Sequence, residues 1–100
     1  SKQKQTEAEK INSDLFEQNA EHQLTDAVKT QQQSVEQAVS QQNYTQALAA
    51  LAALRQPVDT FFDNVMVLCD NNVLRENRLA ILKQLQVLFL QIADFSKLQS

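Results

Sequence analysis

The stretch NVLRENRLAILKQLQVLFLQIA, residues 72–93, decides the fold. At about 100° per residue, Leu74, Ile81, Leu82, Leu85, Leu88, Phe89 and Ile92 fall on one side of a helix. Leu79, Val87 and Leu90 lie outside that stripe. A helix apolar on more than one side touches several neighbours or is covered by another part of a longer protein. Asp70-Asn71-Asn72 supplies the turn and cap before it. Asp94-Phe95-Ser96-Lys97-Leu98 closes the chain as a short turn that docks Phe95 and Leu98 on the core.

Three more helices are predicted upstream. Over 57–69, Val58, Phe61, Phe62, Val65, Met66 and Cys69 share one face, and Pro57 sits in the first turn, where its missing N–H costs nothing. Over 44–55, Ala47, Leu48, Leu51 and Leu54 face inward, and Asn43 followed by Gln46 has the form of a capping box. Over 20–40, Ala20, Leu24, Ala27, Val28, Val35, Ala38 and Val39 recur at helical spacings, with Asn19 preferred to Ser13 as the cap. That stripe is narrow and rich in Ala, so close packing is expected. Lys29, Gln32, Gln33 and Glu36 form its wet face. Ile11, Leu15 and Phe16 are the first apolar anchors. Residues 2–10 are polar, either helical or frayed.

The composition agrees with an all-α chain. One hundred residues, 43 % hydrophobic and 21 % charged, make one ordinary globular domain. Gly is absent and Pro occurs once, which argues against turn-rich β folds and excludes phosphate-cradling glycine loops and nucleophile elbows. One Cys and one His cannot make a conventional zinc site or a disulfide framework. The net charge is −3, yet Arg55, Arg75 and Arg78 all lie in the second half. No uninterrupted apolar run approaches the roughly 20 residues of a membrane span, so no membrane partner is expected. A free Cys69 in an apolar setting fits a reducing, cytoplasmic compartment.

No constellation reads as catalytic. Asp59 and Asp63, one turn apart, form a charged flank beside the Phe face. His22 has no partner at legible spacing. Arg78 is different, because it falls inside the apolar stripe between Leu74 and Leu82. A guanidinium there must be paired, since an unpaired buried charge costs several kcal/mol. If the third and fourth helices form an antiparallel hairpin about residues 70–71, position 78 lies level with position 63. The expected partner is Asp63.

The run YTQALAALAALRQPVDTFFDNVMV, residues 44–67, with Leu74-Arg75-Glu-Asn-Arg78-Leu79 and the ending Ile92-Ala-Asp-Phe-Ser-Lys-Leu-Gln99, resembles the C-terminal region of bacterial glycyl-tRNA synthetase β subunits. Asp14-Leu-Phe-Glu-Gln18 and Glu21 fit the same region, so the resemblance covers nearly the whole chain. It implies a four-helix bundle of the DALR anticodon-binding type that lacks the family's upstream helix, with Ser1-Lys2 at the truncated edge. It also implies a non-catalytic part of an enzyme that joins glycine to its tRNA with ATP and magnesium. The implied partners are the anticodon stem-loop of glycine tRNA, the rest of the β subunit and the α subunit.

Glycine anticodons end in two cytosines. Each offers an amino donor and ring acceptors, which Asp, Glu, Asn and Arg can serve. Arg75, in the first turn of the last helix, ranks first as a tRNA contact because free backbone N–H groups there attract phosphate. Arg55, ending the second helix, ranks second, and Lys83 third. Should these fail, Lys29 and its row of Gln form the next face. Tyr44 either caps the second helix against the core or stacks on a base. The rival reading is a helical protein–protein module without RNA binding.

Overall fold

The computed structural model describes residues 11–99; the readings of residues 2–10 and of the truncated upstream edge lie outside these. After a 3₁₀ turn at Ser13–Leu15 come α1 (Asn19–Gln41), α2 (Tyr44–Ala53), α3 (Arg55–Asn64) and α4 (Asn72–Gln99). No strand occurs among the described residues. The helix α1 packs on α2, α3 and α4, and α4 also packs on α2.

Each boundary has a local cause. Gln18, one residue earlier than expected, caps α1, and the Glu21 carboxylate accepts from the Gln18 N–H at 3.0 Å. Its last turn closes at Gln42 in the left-handed region, φ 56° and ψ 37°, with the Asn43 N–H donating to the Ala38 carbonyl at 2.8 Å. Asn43 Oδ1 accepts from the Gln46 N–H at 3.1 Å and starts α2. Only that half of the capping box forms. The Gln46 amide turns to α1 instead, donating to Ser34 and to Gln37 Oε1. Leu54 ends α2 and begins α3, so the two make one bent rod.

The core is built from Leu24, Val28, Val35, Leu54, Phe61, Ile81, Leu85, Leu88 and Ile92. A satellite cluster joins Ala38, Ala47 and Phe95, with Tyr44 packed edge-on to Phe95 at 5.9 Å. The fourth-helix stripe is buried at Ile81, Leu85, Leu88 and Ile92 and half-buried at Leu74 and Leu82, but Phe89, at its edge, is exposed like Leu79, Val87 and Leu90. By length and apolarity alone α4 suffices to cross a membrane. Its buried Ile81, Leu85, Leu88 and Ile92 and its enclosed Arg78 are instead features of a bundle's core helix.

Several expectations are corrected. The chain end is not a turn: α4 continues through Gln99, burying Phe95 and leaving Leu98 exposed. In α2, Ala47 and Ala50 face inward, and Leu48 and Leu51 do not. Small side chains let α2 approach α1 closely, which rotates the leucines outward. The third helix stops at Asn64, not Cys69, which leaves Met66 exposed on the connection; within the helix Phe61 takes the buried face and Phe62, next to it, is exposed and not core. Val65–Asn71 is an irregular connection, and α3 packs mainly on α1 and not as a hairpin with α4.

Candidate nucleic-acid interface

The cations of the described chain divide into pinned and free. Arg78 is the most confined, at 5 % exposure. Its Nε donates to Glu21 Oε2 and its Nη2 to Glu17 Oε1, both at 3.2 Å, and its Nη1 donates to the Met66 carbonyl at 2.9 Å. The stripe position correctly demands a partner, but the Asp63–Arg78 pair does not form. Asp63 is exposed on α3, and the carboxylates come from the start of α1. The hairpin register fails because the connection is long and α1 lies against α4.

Glu21 is wholly enclosed, yet each carboxylate oxygen is satisfied. Oε1 accepts from the Glu17 and Gln18 N–H groups at 2.8 and 3.0 Å, and Oε2 accepts from Arg78. Burial lowers the Arg78 pKa, but the hydrogen bond and charge of Glu21 outweigh it, with Cys69 and Glu17 adding, so the guanidinium is held above its ordinary value. It therefore stays charged throughout the physiological range.

Arg75 is half-buried and also engaged. Nη1 donates to the Cys69 carbonyl at 3.2 Å, and Nη2 meets the Asn72 side chain. The backbone donors expected to attract phosphate are occupied: Asn71 Oδ1 accepts from the Val73 and Leu74 N–H groups, and the Asn71 carbonyl from that of Arg75.

The remaining cations of the candidate set are free. Arg55 is exposed at the bend, as the first residue of α3 and not the last of α2. Lys83 on α4 and Lys29 on α1 are exposed, and none of the three forms an ion pair among the described residues. Gln84 Nε2 donates to Gln32 Oε1 at 3.0 Å, tying α4 to α1 one residue after Lys83 and three residues after Lys29. The segment Ile11–Ser13 borders two grooves. One carries Lys83, Gln86, Glu76 and Asn72, the other Lys29, Gln32, Gln84 and His22. Asn77 fastens this segment by donating to the Asn12 carbonyl at 3.1 Å and accepting from its N–H at 2.7 Å.

Lysines flanked by amide side chains can neutralise phosphates and offer donors and acceptors to base edges. Arg55 stands apart at the α2–α3 bend. Tyr44 packs on Phe95 as a half-buried core partner. No group of three His, Cys, Asp or Glu side chains that could hold a metal occurs among the described residues.

The chain is matched over residues 1–95 by the family of the DALR anticodon binding domain. It is 49 % identical over 92 residues to the glycine–tRNA ligase beta subunit of Vibrio parahaemolyticus, covering 92 % of this chain and 13 % of that protein. The beta subunit of Vibrio cholerae is 50 % identical over 91 residues, covering 91 % of this chain and 13 % of its own. That of Coxiella burnetii is 49 % identical over 88 residues, covering 88 % and 13 %. This chain thus spans about an eighth of the curated relatives it matches. No solved structure is a significant match.

Proposed function

We propose, from the premise that this chain belongs to the DALR anticodon binding domain family, that it binds the anticodon stem-loop of glycine tRNA as part of a glycine–tRNA ligase β subunit. The observation that carries the reading is the near-complete family match, together with about half identity to β subunits. Its role is to hold the tRNA. The ATP- and magnesium-dependent joining of glycine belongs to the remainder of a cytoplasmic assembly that includes an α subunit.

The free cations support this role. Arg55, Lys83 and Lys29 are candidates for phosphate contact, and the amides of Gln32, Gln84 and Gln86 for base edges. Arg75 falls behind Arg55 and Lys83 because its guanidinium already holds the α3–α4 connection. The test is glycylation by the parent α/β enzyme with Arg55→Ala and Lys83→Ala combined. The expected outcome is an apparent KM for tRNA raised about tenfold with kcat retained, and a salt dependence shallower by about one unit per lost phosphate contact. Unchanged KM and salt slope would move the RNA surface elsewhere on the domain.

A further inference from the structure

We propose that the α3–α4 connection is a protein-docking ridge that seats against a basic-rimmed apolar surface elsewhere in its own longer polypeptide. This rests on reading the chain as part of a larger β subunit. Within seven residues, Phe62, Met66 and Leu68 are 56 %, 71 % and 74 % exposed. Isolated exposed apolar side chains are ordinary, but three close in sequence, Phe62 in the last turn of α3 and Met66 and Leu68 on the connection, mark an interaction surface.

The ridge is held rigid from below. Arg78 donates to the Met66 carbonyl at 2.9 Å and Arg75 to the Cys69 carbonyl at 3.2 Å. Phe62 is fixed edge-on to the buried Phe61 at 5.6 Å. An irregular segment ordered in advance loses little entropy on docking.

Charge chooses between RNA and protein. The exposed Asp59, Asp63 and Asp70 lie on and beside the ridge. Arg75 and Arg78 point their donors at carbonyls and carboxylates, and the first N–H groups of α4 are capped by Asn71. Three carboxylates and no free N–H cluster repel a phosphate backbone. They complement Lys or Arg around an apolar centre. Because this chain spans 13 % of its relatives, most of the polypeptide is tethered nearby at high effective concentration.

The test is peroxide oxidation of Met66, followed by mass spectrometry, in the intact β subunit without tRNA. The expected rate is at least about tenfold below that of a free methionine. Asp63→Lys with Asp70→Lys, which reverses the rim, should restore fast oxidation. Fast oxidation in the unaltered subunit overturns the proposal, whether or not protection then appears on adding tRNA or an α subunit. So does slow oxidation that the rim reversal leaves unchanged. Glycine-tRNA binding by the same preparation is measured separately. Its loss would remove the anticodon-binding reading while Met66 protection still decides the docking question.

Discussion

Arg78 and Glu21 form a buried ion pair across 57 positions of chain, Nε to Oε2 at 3.2 Å. Neither could be enclosed alone. The pair joins the cap of α1 to α4, and through the Met66 carbonyl it also fixes the connection between α3 and α4.

Replacing Glu21 by Ala should therefore destabilise the domain by about 3–5 kcal/mol in urea unfolding, because the guanidinium is left buried without its inner partner. Asp63→Ala should leave stability within about 0.5 kcal/mol of the parent. The Glu21→Met, Arg78→Met double variant should be more stable than either single one. A large effect at Asp63 would restore the hairpin pairing.

Arg78 was legible in the sequence because a cation interrupts an apolar stripe. Glu21 carries the same signal: it stands three residues before Leu24 and seven before Val28, inside the stripe of α1. Two opposite charges in two apolar stripes are each other's most economical partners. Connectivity alone points to Asp63 instead. That pairing requires the third helix to reach Cys69, but after Asn64 the β-branched and sulfur side chains continue the apolar pattern without continuing the helix. Likewise the apolar periodicity of α2 could not tell Leu from Ala as the inward face. Interhelical distance decides that, and no residue of α2 states it. For the interface, the exposure of Arg55 and Lys83 was legible, but the engagement of Arg75 was not, since its acceptor is a backbone carbonyl.

The inward face of α2 has its own test. Ala47 is fully buried beside Ala38 and Phe95. Ala47→Leu should cost about 1–3 kcal/mol by overpacking. Leu48→Ala, on the exposed side, should cost much less. The two thermal melts together fix the orientation of the helix.

Gln42 is the one described residue at positive φ, in a chain without glycine. A side chain there crowds its own carbonyl, and Gly would remove that strain while keeping the turn. Gln42→Gly should stabilise the domain by about 0.5–1 kcal/mol in urea unfolding after the glycine's extra unfolded-state entropy is allowed for. A loss of stability would mean that the Gln42 side chain makes a contribution of its own.

Arg75→Ala releases the Cys69 carbonyl. Because the guanidinium is half-buried, global stability should fall by no more than about 1 kcal/mol. The Cys69 thiol should react faster with a disulfide reagent, and amides over 65–71 should exchange faster. Unchanged thiol reactivity and exchange would show that the connection holds itself.

The way Asn77 grips Asn12, across 65 positions, has a consequence for the order of events during synthesis. The helix α1 is complete once residue 41 has been made, but its deepest charge and the strap before it find their partners only on the last helix. A nascent chain stopped at residue 70 carries Glu21 as a hydrated carboxylate and Leu24 and Val28 with one flank uncovered. Cooperative closure waits for residues 77 and 78 to leave the ribosome. Contacts so distant in sequence slow folding relative to a bundle stitched by neighbours.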